Sequence, residues 1–149
     1  MKETGHHYAK DLAFDAPRER VFDAIATLDG LRGWWTTIAT GTAATRGQIR
    51  LGYEGKDEFI LMRVDEAIRP SALRWTCLTH TRFEDWNGTQ VRFDLSEPTP
   101  DSCQLNFHHV GLGPELECYG ICEPGWDRFL ASLAAYIEKG QGTPFGGRT

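Results

Sequence analysis

The sequence predicts an α+β fold in which one curved antiparallel sheet of about six strands wraps around a long C-terminal helix. Three observations predict it. Between Gln48 and Val110, apolar and polar residues alternate in short runs separated by turn signals. From Tyr119 to Ile137 the apolar residues recur at helical spacing instead. The connections between the short runs are too brief to hold crossover helices, so neighbouring strands run antiparallel.

The elements follow in order. Tyr8 to Phe14 reads as a strand that ends at Asp15-Ala16-Pro17. Pro17 suits a first helical position and Glu19 a first turn, and Val21, Phe22, Ile25 and Leu28 continue at helical spacing. The spacing predicts a helix from Pro17 to about Leu28, broken by Asp29-Gly30. A short second helical turn then carries Trp34 and Trp35. Strands follow over Gln48–Tyr53, Glu58–Glu66, Ala72–Phe83, Thr89–Leu95 and Cys103–Val110. The turns between them fall at Glu54–Asp57, at Ala67–Ser71 with Pro70, at Asn87-Gly88 and at Pro98–Asp101. Asn-Gly is a strong hairpin signal because both residues tolerate positive φ.

In the last segment Tyr119, Cys122, Trp126, Phe129, Leu130, Leu133, Tyr136 and Ile137 share one helical face. Asp127, Arg128, Ser132, Glu138 and Lys139 are expected outside, and Gly140 supplies the stop. If the helix begins as early as Pro114, then Glu115 and Glu117 sit near its positive end. Pro124 then removes the hydrogen bond to the Gly120 carbonyl, which predicts a kink or short break between Gly120 and Gly125.

Composition sets the outer limits. The 149 residues are 40% hydrophobic and 25% charged, ordinary for one globular domain over 1–149, with a core at about 8–140 and a tail from 141. The formal net charge of −5 and the lack of a basic stripe argue against a nucleic-acid partner. The longest apolar run, Leu133 to Ile137, is too short for membrane insertion. The N-terminal residues lack the apolar core of a signal peptide, so a cytoplasmic location is expected. Cys77, Cys103, Cys118 and Cys122 lack CxxC spacing and read as free thiols. Cys118 and Cys122, four apart, would share a helix face, yet they read better as small apolar fillers than as metal ligands.

A strongly twisted sheet closing on one helix leaves a gap on its concave side. Candidates lining that gap are Tyr53, Met62, Trp75, Phe93, Phe107 and Trp126, with Trp34 or Trp35 at one end. Apolar, aromatic-lined spaces with a few polar groups are the usual form of small-molecule sites.

Asp15-Ala16-Pro17 leading into Val21-Phe22, then Gly33-Trp34-Trp35, then Gly125-Trp126-Asp127-Arg128-Phe129-Leu130-Ala131-Ser132-Leu133, resemble the START-related helix-grip superfamily (SRPBCC). The likeness is to its branch named after the C-terminal domain of the heat-shock-chaperone ATPase activator. The tail Glu138–Pro144 matches the end of the same pattern, so the resemblance covers about Tyr8 to Pro144. It implies the helix-grip fold, with two short helices between strands 1 and 2. Superfamily members include lipid and hormone carriers, polyketide cyclases and antibiotic self-resistance proteins. The chaperone activator carries an additional N-terminal domain that this sequence lacks, so stimulation of the chaperone by this chain alone is not expected.

No phosphate-binding loop, HExxH, GxSxG or EF-hand pattern occurs, and no cofactor, metal or catalytic residue is assigned. His108 and His109 are adjacent on a strand, so they point to opposite faces and cannot share one ion. Alternation with Leu105 and Phe107 turns His109 inward, as a core histidine or a polar anchor for a ligand, and leaves His108 solvated. His80 falls on the parity opposite Trp75 and Cys77 and is expected outside. Tyr119, like Trp126, is placed to touch a ligand, whereas Phe129, Leu130 and Leu133 are core by spacing. The expected partner is a small apolar molecule, held by a monomer or homodimer. The alternatives are an enzyme of the cyclase or dehydratase type in the same cavity and a chaperone-activating interaction protein.

Overall fold

The computed structural model describes residues 8–52, 57–113 and 119–144. The alternating segments become β1 (Tyr8–Phe14), β2 (Ile38–Gly41), β3 (Gln48–Gly52), β4 (Phe59–Ile68), β5 (Ala72–His80), β6 (Gln90–Ser96) and β7 (Cys103–Val110). They form one antiparallel sheet in the order β1-β7-β6-β5-β4-β3-β2. The helices are α1 (Arg18–Ala26) and α2 (Leu28–Trp34), between β1 and β2, and α3 (Tyr119–Lys139) at the end. This is the α+β helix-grip arrangement the sequence predicts, with seven strands where about six were expected. The additional strand, β2, is four residues long and occupies the sheet edge. Its Ile-Ala-Thr-Gly run is too short to show a period of its own, and only pairing with β3 makes it a strand.

Alternation sorts the side chains as predicted over most of the sheet. Ile49 and Leu51, Leu73, Trp75 and Cys77, Val91, Phe93 and Leu95, and Leu105 and Phe107 are all buried on the concave side. Asn87 at φ −60°, ψ 125° and Gly88 at φ 86° make a type II turn closed by the Thr89 N–H to the Trp86 carbonyl, not the two-residue hairpin that Asn-Gly favours. β5 and β6 are joined by a longer connection that includes the turn Glu84–Trp86.

Four local expectations fail for identifiable reasons. Asp29-Gly30 does not break the first helix; the break comes at Thr27, which is extended at φ −128°. Its hydroxyl accepts from the Gly30 N–H at 3.0 Å and so starts α2. Gly30 is needed there for close approach, since a Cβ would lie 2.3 Å from the Ala24 carbonyl oxygen. Ser132, expected outside, is buried. Of the kink or short break expected at Pro124, the break does not occur, since α3 runs through Pro124 from Tyr119 to Lys139. The proposed earlier start near Pro114 lies outside the described residues.

The fourth correction is His80, which is buried rather than exposed. Met62 pairs with Cys77 and Leu61 with Thr79, so Leu78 is an extra residue in β5. That bulge shifts the parity by one and turns His80 inward.

Candidate functional site

Eight of the ten sequence-predicted site residues come together in one core between α3 and the concave face. Trp34, Trp35, Met62, Trp75, Phe93, Phe107, His109 and Trp126 are each at most 1% exposed. Tyr53 lies outside the described residues. Tyr119 is described only as the first residue of α3. His109 points inward, as alternation requires, whereas His108, expected to be solvated, is half-buried.

The rings meet edge to face or tilted across elements. Trp35, just past α2, has its centroid 5.8 Å from Trp75 on β5 and 5.2 Å from Trp126 on α3. Phe93 lies 5.2 Å from Trp75 and 5.1 Å from Phe107. Phe107 lies 4.5 Å from Trp126. Phe129, read from sequence as core alone, also packs on Trp35 at 5.3 Å. Such offset and edge-on pairs are the favourable aromatic geometries.

One end of this interior is closed by a chain of hydrogen bonds. The Trp126 indole N–H donates to His109 Nδ1 at 3.0 Å. An indole only donates, so Nδ1 is an acceptor and the neutral His109 carries its proton on Nε2. Nε2–H then donates to Thr89 Oγ1 at 2.8 Å, and the Thr89 hydroxyl donates to the Trp86 carbonyl. Both imidazole nitrogens are therefore occupied, and no proton-transfer site on His109 faces the interior. Trp86 stacks on Trp126 at 5.7 Å with the planes 8° apart, and its own N–H donates to Cys122 Sγ at 3.2 Å.

Trp86 was missing from the sequence reading. It sits in the short 3-10 turn Glu84–Trp86, where its polar neighbours suggest a loop. The available signal was a lone tryptophan immediately before the Asn-Gly turn. His80 packs on Trp86 at 4.7 Å and accepts at Nδ1 from the Arg82 and Phe83 N–H groups at 3.2 and 3.0 Å. Burial, with a smaller contribution from the nearby Arg82 charge, pushes its pKa down to about 4.

The other end is different. Trp35 and Trp75 are fully buried, and the indole N–H of each has no hydrogen-bond partner among the described residues. Thr36, the buried hydroxyl next to Trp35 in sequence, donates to the Gly52 carbonyl at 2.6 Å.

Trp34 plays a structural part. Its indole N–H donates to the Ala24 carbonyl at 2.8 Å and ties α2 to α1. Its own carbonyl accepts from Ser132 Oγ at 2.8 Å, and Ser132 Oγ in turn accepts from the Thr143 N–H at 2.7 Å. Gly142 fits between Gly33 and Ser132, where a Cβ would come within 2.8 Å of both carbonyl oxygens. The Gly-Trp-Trp segment, the Ser132 helix and the tail are thus one packed joint.

Outside this core, a depression of about 550 Å³ lies between α1, α2 and the end of α3, lined by Glu19, Arg20, Asp23, Asp29 and Tyr136 among others. None of the predicted site residues borders it. Burial pushes the Cys77 thiol up to about 12 and the Cys103 thiol up to about 11, so both stay protonated and inert. Among the described residues no three His, Cys, Asp or Glu side chains gather as metal ligands, and no helix is long and apolar enough to cross a membrane.

The family model described as "Activator of Hsp90 ATPase homolog 1-like protein" matches residues 15–138. Among solved structures, the Aha1 dimer from Colwellia psychrerythraea is similar with a TM-score of 0.77 and 25% identity, covering 91% of this chain and 98% of that one. An HSP90 activator from Plasmodium falciparum is similar at 0.73 and 16% identity, covering 92% and 98%. DynU16, from the dynemicin biosynthetic locus, is similar at 0.70 and 20% identity, covering 92% of this chain and 49% of that one. No curated protein sequence matches the chain.

Proposed function

The chain belongs to the Activator of Hsp90 ATPase homolog 1-like family, and from that premise we propose that it binds a small lipophilic or aromatic molecule between α3 and the concave face of the sheet. The observation that carries this reading is the interior itself. Rings from α3, β5, β6, β7 and the segment after α2 converge there, and two of its buried donors are unpartnered among the described residues. A core built only for stability pairs its buried donors or replaces them with hydrocarbon. The likeness to DynU16, a protein of the dynemicin biosynthetic locus, is in keeping with this reading.

The proposed lining is Trp35, Met62, Trp75, Phe93, Phe107, His109 and Trp126, with Tyr53 and Tyr119 as further contacts and Trp34 at one end. An enzyme in the same space needs a positioned acid or base. His109, with both nitrogens already bonded, does not supply one, which favours binding over catalysis.

Native mass spectrometry of the purified protein, together with melting curves against aromatic polyketides, sterols and fatty acids, tests the reading. A carried-over adduct, or a compound that raises the melting temperature and changes tryptophan fluorescence, supports it. A ligand at a hundredfold excess over its dissociation constant stabilises by about 2.7 kcal/mol. No adduct and no shift across the panel overturns it.

The family match favors one other reading, a partner role toward the Hsp90 chaperone. A dose-dependent rise in chaperone ATPase rate with the purified chain supports that reading; we propose that the chain alone gives none.

A further inference from the structure

The five tryptophans divide into two groups by what their N–H groups meet. Trp34 donates to the Ala24 carbonyl, Trp86 to Cys122 Sγ and Trp126 to His109 Nδ1. Trp35 and Trp75 donate to none of the described residues, although both are fully buried, and their rings are neighbours at 5.8 Å. Among the described residues two guanidinium nitrogens, Arg18 Nε and Arg92 Nε, are also buried without a hydrogen-bond partner, but Trp35 and Trp75 are the unpaired indoles, and their lying side by side requires an explanation.

We infer that Trp35 and Trp75 form a donor pair for a neutral aromatic ketone or quinone, whose carbonyl oxygen accepts their two indole N–H groups. The inference rests on the binding reading above and specifies the ligand's chemistry. An indole only donates, so the complement must be an acceptor, and a carbonyl oxygen with two lone pairs is able to serve both donors. The surroundings decide its charge. Trp35 and Trp75 pack against Trp34, Trp126, Phe93 and Phe129, and among the described residues the cations found over rings lie elsewhere, Arg50 on Phe59 and Arg82 on Phe83. A carboxylate or phosphate would be stripped of water there without a counter-charge, which disfavours an anion. The same rings supply the faces on which a planar molecule stacks.

Matched probes separate this inference from the reading beneath it. We use 9-fluorenone against fluorene and 1-indanone against indane, each pair alike in shape and different in the carbonyl. The readouts are affinity, from tryptophan fluorescence, and the side-chain N–H resonances of nitrogen-15-labelled protein. The expected result is that at least one ketone binds about tenfold tighter than its hydrocarbon, the ratio a single buried hydrogen bond gives. The Trp35 and Trp75 indole N–H resonances move downfield with the ketone and stay with the hydrocarbon, while those of Trp34, Trp86 and Trp126 keep their bonded positions. Equal binding of ketone and hydrocarbon, with the Trp35 and Trp75 resonances unmoved, overturns the donor pair and leaves the apolar site standing. Binding of neither member of either pair overturns both.

Discussion

At the Trp126 end of the interior, an indole, an imidazole and a hydroxyl pass hydrogen bonds along to the Trp86 carbonyl, whereas at the Trp35 end two indole N–H groups meet no acceptor among the described residues. Both ends are built around buried tryptophan rings held at similar spacings, although Thr89 at the first is only half-buried. What differs is whether the fold brings an acceptor to each donor. The closed end gains rigidity, because every member of its chain fixes the next. The open end keeps an unmet demand that a ligand is able to answer. Two ends of one core thus serve different purposes: one holds α3 and the 3-10 turn on the sheet, and the other offers specificity.

Four measurements break or sharpen this contrast, in descending order of effect. Phe93→Arg inserts a guanidinium between Trp75 and Phe107, and an unpaired buried charge of this kind is expected to cost about 4 kcal/mol or more in urea unfolding. Ligand binding at the open end is lost with it.

Acid should loosen the closed end first. The pKa of His80 is about 4 in the folded protein against an ordinary 6.5, so the unfolded chain takes up the proton first as pH falls. Its stabilising contribution is complete above about pH 6.5 and is lost progressively toward pH 4, a change of roughly 3 kcal/mol. Denaturation curves across that window in the parent and in His80→Gln isolate the effect, and the variant should show the flatter profile.

The same truncation at each end measures the contrast directly. Trp126→Phe strands the His109 Nδ1 acceptor, while Trp75→Phe removes a donor that was already unpaired. Trp126→Phe should be the more destabilising of the two by about 1–2 kcal/mol. Equal losses in urea melts would mean that the hydrogen-bonded chain contributes nothing. Smallest of the four, Ser132→Ala removes the bonds to the Trp34 carbonyl and the Thr143 N–H and should lower stability by about 1 kcal/mol, with detachment of the tail visible in hydrogen exchange at Thr143.

Much of this was legible from residue order. The period of two in β5, β6 and β7 identified Trp75, Phe93, Phe107 and His109 as inward neighbours, and helical spacing put Trp126 opposite them. What escaped was set by interactions between distant segments. The bulge at Leu78 is visible only in the pairing of β4 with β5, and it reverses the side on which His80 lies. Ser132 reads as a surface serine until the tail and the Trp34 carbonyl close over it. Trp86 joins the interior because its hairpin folds against α3 and its indole reaches Cys122.

The sequence by itself determined the fold class, the inward face of most strands and the aromatic character of the interior, since these follow from local periodicity and hydrophobic burial. Only the tertiary structure decided which donors find acceptors. A hydrogen bond is fixed by the positions of two atoms within a few tenths of an ångström, and the partners here are as far apart in the chain as Tyr8 and Asp127, 119 residues. Trp34 and Trp35 make the point: they are adjacent and chemically identical, but one faces the Ala24 carbonyl and the other faces rings alone.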